Sequence, residues 1–253
     1  MKFPLALLAT ALLTVTAFAA TPDTRLFEMR TYYAAEGKLE NMHARFRDHT
    51  TKLFAKHGMT NIGYWVPIEN PERQLIYVLA YPDRAARDAS WKAFGADPDW
   101  KKARTESELG GKIVAKSESR FFTATDFSPE VAASPHDAAR VFEMRTYTAS
   151  PGNLANLLER FRSHTVGLFA KHGMTNLYYW QLAAGQPDAD KMLVYLLAHA
   201  SKEAAEASFK TFRADPDWNT ARKASEEKGG GSLTAPDGVK SVFLKATDYS
   251  PLR

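Results

Sequence analysis

The feature that most constrains this chain is that most of it is written twice. Residues 26–66 laid on residues 141–181, at a constant offset of 115, are identical at 26 of 41 positions. FEMRTY opens both copies (Phe27–Tyr32, Phe142–Tyr147), LFAKHGMTN sits in the middle (Leu53–Asn61, Leu168–Asn176), and a Tyr-Trp pair follows (Tyr64-Trp65, Tyr179-Trp180). ADPDW recurs at Ala96–Trp100 and Ala214–Trp218, and FFTATDFSP at Phe121–Pro129 answers FLKATDYSP at Phe243–Pro251. Each copy is on the order of 100 residues, long enough to bury a core of its own. The repeat therefore predicts two units of one fold.

Within a copy the apolar spacing changes period. Phe27, Met29 and Thr31 alternate with Glu28, Arg30 and Tyr32, which predicts a strand. Leu39, Met42, Phe46, Leu53 and Phe54 then form one helical stripe, and Gly58 is placed to end the helix in the left-handed region. Asn61–Ile68 predicts a second strand and Leu75–Tyr81 a third, apolar enough to be covered on both faces. Asp83 is placed to cap a helix over Arg84–Gly95 with Ala86, Ala89, Ala93 and Phe94 inward. Asp97-Pro98 restarts a shorter helix, and Ser117–Thr123 closes the copy as a strand. The order is β-α-β-β-α-(α)-β, an α+β unit of ferredoxin-like type. The expected domains are 24–126 and 140–250. Residues 127–139, with Pro129, Ser134 and Pro135, are the expected linker.

Residues 1–20 have the form of a signal peptide: Lys2, an apolar run Leu5–Leu13, and Ala17-Phe18-Ala19 as a small-x-small cleavage site. Cleavage after Ala19 or Ala20 would lower the formal net charge from +4 to +3 by removing Lys2. With no cysteine in the chain, this predicts a periplasmic or secreted bacterial protein rather than a disulfide-stapled one. No later run approaches the ~20 apolar residues of a membrane span. Basic and acidic residues are interspersed, so no nucleic-acid partner is expected.

FEMRTY, a glycine, a long helix ending FAKHG, an aromatic strand with YW and a helical ADPDW segment together resemble the NIPSNAP family, once per copy. The resemblance implies the dimeric α+β-barrel architecture, in which two ferredoxin-like units set their sheets face to face. Here the tandem units would form that barrel within one chain. A sheet with helices on one face leaves the other bare, and a covalently tied twin is its natural cover.

The residues that could carry chemistry are few. His49 and His164 fall on the apolar stripe of the long helix, as core histidines, pocket walls or ligands to a cofactor. His57 and His172 suit a helix C-terminus. Arg30 and Arg145, with Glu28, Tyr32, Glu143 and Tyr147, are expected on the non-helical face of the first strand, pointing into the barrel. There they would form an ion pair (Glu28 being one candidate partner) or an anion clamp. Tyr64, Trp65, Trp91 and Trp100, with Tyr179, Trp180, Phe209 and Trp218, are core aromatics or the lining of a cavity. No HExxH, zinc cluster, P-loop, dinucleotide loop or GxSxG elbow is present, so no metal and no cofactor are expected. The favoured reading is a non-catalytic module for a small apolar or aromatic ligand or a protein partner, and self-association stays open. The alternative, by analogy to the barrel superfamily, is a cofactor-independent mono-oxygenase-like or haem enzyme using a helix histidine and a strand arginine.

Overall fold

The computed structural model describes residues 23–130 and 140–253. The expected signal peptide and residues 131–139 of the expected linker lie outside the described residues. The first copy runs β1 (Leu26–Ala34), α1 (residues 39–56), β2 (Thr60–Pro67), β3 (Gln74–Tyr81), α2 (Arg84–Ala96), α3 (Pro98–Ser107) and β4 (Val114–Ala124). The second runs β5 (Val141–Ala149), α4 (residues 154–171), β6 (Thr175–Leu182), β7 (Met192–His199), α5 (Lys202–Ala214), α6 (Pro216–Gly229) and β8 (Thr234–Ala246). The expected stops and starts are in place. Gly58 takes φ +76° just beyond α1, the Asp83 carboxylate accepts from the Ala86 amide at 2.8 Å, and Asp97 accepts from the Asp99 amide at 2.8 Å.

The strands close into one barrel in the order β1-β3-β2-β8-β5-β7-β6-β4. The halves are thus not merely apposed. β2 pairs antiparallel with β8 (Trp65 opposite Ala246), and β4 with β6 (Thr123 opposite Gln181). Closure removes the free edges that two open sheets would expose. The interior draws from both copies: Phe27, Trp65, Ile76, Val78 and Phe122 meet Phe142, Tyr178, Trp180, Val194 and Leu244. As expected, β3 is covered on both faces. Ile76, Val78 and Ala80 face the barrel, while Leu75, Tyr77, Leu79 and Tyr81 face the helices.

After the last strand of each copy the chain crosses to the other copy. Phe127, at the start of the expected linker, packs on Tyr179 (5.5 Å between ring centres), and Asp126 chelates Arg162 of α4. Reciprocally, Tyr249 packs on Tyr64 and hydrogen-bonds His43, and Asp248 chelates Arg47 of α1. The repeated TD(F/Y)SP sequence is therefore a pair of exchanged clasps.

Three expectations fail here. The faces of β1 and β5 are reversed: Phe27 enters the barrel against Trp180 (5.7 Å) and Tyr178 (6.0 Å), whereas Glu28, Arg30 and Tyr32 lie under the helices. The barrel interior is apolar where the copies meet. The underside of α2 offers Arg87 and Trp91, and a buried charge goes where its partners are. The second failure concerns the long helix, which is not α-helical throughout. A π-helical turn interrupts it at Phe46–Thr50, and again at Phe161–Thr165 in α4. The inserted residue shifts the stripe, so Thr50 and Thr165 take the buried positions and His49 and His164 turn to solvent. Each threonine hydroxyl donates to the carbonyl five residues back, Arg45 at 3.1 Å and Arg160 at 3.2 Å. The α2 face also differs: Ala89 and Ala93 are exposed, and Arg87, Trp91 and Phe94 make the inward stripe.

Candidate functional site

Beneath the helical layer of each copy lies a buried glutamate flanked by arginine and aromatics, built on the Glu-Met-Arg-Thr-Tyr strand. In the first copy the Glu28 carboxylate accepts from five side chains. These are Arg30 (2.5 Å), Tyr81 (3.1 Å), Arg87 through two nitrogens (2.9 and 2.8 Å), Trp91 Nε1 (3.1 Å) and Ser119 (2.7 Å). Burial by itself raises this carboxyl, but the Arg87 hydrogen bonds, the Arg30 charge and Ser119 outweigh it and hold it at about 2. The Trp91 ring covers Arg30, whose guanidinium carbon stands 4.5 Å from the ring centre. Glu28 pairing with Arg30 agrees with the sequence reading, although on the opposite side of the sheet.

The second copy keeps the strand and changes its surroundings. Glu143 accepts from Arg145 (2.5 Å), His199 Nε2 (3.1 Å) and Ser241. Burial raises it, and the bonds from His199 and Ser241 with the Arg145 charge bring it below its ordinary value. Where the first copy has Arg87 and Trp91, the second has Ala205 and Phe209; where it has Gly95, the second has Arg213. The result is an open pocket of about 400 Å³ between β5, α5 and α6. Its lining is Arg145, Tyr147, Phe209, Phe212, Arg213, Trp218, Asn219 and Arg222. Arg145 lies 4.5 Å over the Phe209 ring, Nη2 reaches Tyr147 OH at 3.4 Å, and the buried Nε has no hydrogen-bond partner.

A second pair of arginines stands behind these sites. Arg45 is buried and bonds Glu108 at 3.1 Å, over Trp100. Its counterpart Arg160 reaches Ser225 at 3.5 Å and stands 3.8 Å from Glu226, over Trp218. The pairing is thus looser in the second copy than in the first.

Of the residues singled out from sequence, Arg145 and Tyr147 line the pocket together. Arg30 and Tyr32 occupy the equivalent place in the first copy, under Trp91 and Phe46. Trp65 and Trp180 are on the other side of the sheet, fully buried in the barrel. His49 and His164 are exposed and border separate surface depressions, away from the arginines expected beside them. His57 and His172 sit at the helix C-termini as expected, and each bonds the aspartate that caps the next short helix, Asp97 at 2.6 Å and Asp215 at 2.7 Å. Sequence reasoning missed His199, Arg87 and the rim pair Arg213 and Arg222. The signal was available, because a repeat that keeps Glu28 as Glu143 but exchanges Arg87 for Ala205 has unmade a partner. Among the described residues no group of three or more His, Asp or Glu is placed to hold a metal ion, and no helix is long and apolar enough to cross a membrane.

The closed barrel with helices outside defines a protein of the dimeric α+β-barrel class, with both protomer equivalents in one polypeptide. The NIPSNAP family model matches residues 27–129 and 142–251, one match per copy, and the chain belongs to that family. A NIPSNAP domain protein from Burkholderia xenovorans is 24% identical over 42% of this chain and 99% of its own, with a TM-score of 0.37. Two candidate monooxygenases share the whole fold. One, from Fusobacterium nucleatum, is 10% identical over 88% of this chain and 92% of its own, TM-score 0.54. The other, from Lactobacillus acidophilus, is 13% identical over 88% and 94%, TM-score 0.53. No curated protein matches the chain.

Proposed function

We propose that the protein is an exported binding module whose working site is the pocket of the second copy, and that its ligand is a small molecule with an aromatic or apolar body. One observation carries the reading. Tyr147, Phe209, Phe212 and Trp218 wall an open space of about 400 Å³ that reaches down to a strand arginine. Sites for small organic molecules have this size and this mixture of aromatic wall and few polar groups. In the first copy the corresponding space is taken by Trp91, which lies over Arg30, and by Arg87, which chelates Glu28. The enzymatic alternative needed a helix histidine beside a strand arginine, and His164 and Arg145 border different depressions. Likeness to the candidate monooxygenases is a likeness of fold.

The test is native mass spectrometry of protein taken from the periplasm of an expressing bacterium, followed by thermal shift with small aromatic compounds. A bound small molecule, or a raised melting temperature that Phe209→Trp abolishes, supports the reading. Binding unaffected by Phe209→Trp counts against it. Export has its own check: the mature chain should be found in the periplasmic fraction beginning at Ala20 or Thr21, and a chain retained in the cytoplasm with Met1 in place would contradict it.

A further inference from the structure

We infer that the second-copy pocket is specific for a small aromatic anion, its carboxylate or equivalent oxyanion held by Arg145, Arg213 and Arg222 and its ring by Phe209, Phe212 and Trp218. This rests on the reading of that pocket as the ligand site. Among its eight lining residues three are arginines and none is acidic. The arginines are also underused. Arg145 gives one nitrogen to Glu143, makes a long contact to Tyr147 with the second, and keeps a buried Nε without an acceptor. Arg222 stands 3.9 Å from Glu226, and Arg213 has no ion-pair partner among the described residues. The orphaned Nε is common to Arg30 and Arg145, so the free hydrogen-bonding capacity particular to the second copy is at Arg145 Nη2 and on the rim guanidinium groups, and an oxyanion supplies acceptors in the planar geometry that guanidinium matches.

Comparison of the copies shows which changes make the site. In the first copy Arg87 gives two hydrogen bonds to Glu28, and the Trp91 indole, pinned through Nε1 to Glu28 and Tyr81, lies over Arg30. The second copy replaces the chelating Arg87 by Ala205, which frees volume beside the glutamate. It replaces Trp91 by Phe209, which shortens the cover and removes the donor that pinned it. It then places Arg213 on the rim where the first copy has Gly95. Two changes empty the space; the third places a guanidinium at its mouth, while the lining residue Asn219 stands where the first copy has Lys101, so the rim cation is moved rather than added. An apolar ligand needs only the first two. Arg213 is exposed, and with Arg145 and Arg222 it makes the lining cationic with no carboxylate among its residues, which points to a ligand that carries negative charge.

The test compares 2-naphthoate with 2-naphthol, similar in shape and different in charge, by titration calorimetry on the full chain at pH 7 and two salt concentrations. The wild type should prefer the carboxylate by about tenfold or more, a preference that shrinks with salt. The exposed Arg213→Gln/Arg222→Gln double variant should lose most of the preference with an unchanged melting temperature, and Phe209→Trp should lose both ligands. Equal affinity for the two probes in the wild type, or a preference undiminished in the double variant, overturns the anion assignment and leaves the pocket reading standing. If neither probe binds, or both still bind to Phe209→Trp, the two fall together.

Discussion

The two buried glutamates of the repeat, Glu28 and Glu143, sit on strands that are nearly identical in sequence, yet one is held by five side chains and the other by three. In the first copy two arginines, a tyrosine, a tryptophan and a serine use every lone pair of the glutamate. The second copy has Ala205 where the first has Arg87 and His199 where it has Tyr81, and its strand arginine borders an open pocket. The lesson is about division of labour. Both copies are needed to close the barrel, because β2 must find β8 and β4 must find β6. Since both copies secure closure, the regions under their helices can differ without opening the barrel.

The largest expected effect that would test this contrast is on stability. Glu28→Ala leaves the guanidinium groups of Arg30 and Arg87 without their shared anion, and breaking a buried ion pair from one side costs about 3–5 kcal/mol. Glu143→Ala strands one arginine, so its cost by urea unfolding should be clearly smaller. Equal losses would mean that the copies are energetically equivalent despite their contacts.

Next comes Gly63, whose counterpart is Tyr178. In the second copy Tyr178 stacks on Trp180 at 4.8 Å, but in the first the Trp65 ring folds over Gly63 so closely that a Cβ would lie 2.2 Å from it. Gly63→Ala should therefore displace Trp65 and cost about 1–3 kcal/mol. A neutral result in chemical denaturation would show that Trp65 has room to move.

Acid should distinguish the copies through the same glutamates. The Glu28 carboxyl is held at about 2 against an ordinary value near 4.5. A depressed folded value means that its contribution is complete above about 4.5 and disappears as pH falls toward 2. Arg87→Ala removes the strongest of the groups that lower it, so acid unfolding followed by tryptophan fluorescence should begin at higher pH. An acid midpoint identical to that of the wild type would break the link.

The smallest effect is predicted at the π-helical turns. Thr50→Val and Thr165→Val each remove one side-chain hydrogen bond to a carbonyl, Arg45 or Arg160, at a cost of about 1 kcal/mol. The two losses should match, because the turns are the same in both copies. A marked difference would place the divergence in α1 and α4 as well as in the sites below them.

Much of the architecture was legible in the residues. The period-two strand at Phe27–Tyr32, Gly58 as a stop, Asp83 and Asp97 as caps and the repeat itself were enough to predict two ferredoxin-like units sharing a barrel. The site was less legible. Counting 3.6 residues per turn puts His49 inward, and one inserted residue at Phe46–Thr50 turns it outward. Alternation along β1 shows two faces without showing which one meets the helices, so it does not decide where Glu28 lies. Nothing in the local sequence marks Arg87 or Arg213, whose surroundings beside Trp91 and Trp218 exist only in the packed structure.

Local sequence, then, determined what is local: strand alternation, helix caps, the left-handed glycine and the duplication are read within a few residues or by laying one copy on the other. Which face of β1 is dry, which carboxylate finds Arg87, and which copy keeps a pocket were decided only when elements distant in the chain were packed together. A buried charge or a cavity is a property of everything that surrounds it, and no single stretch of the chain carries that information.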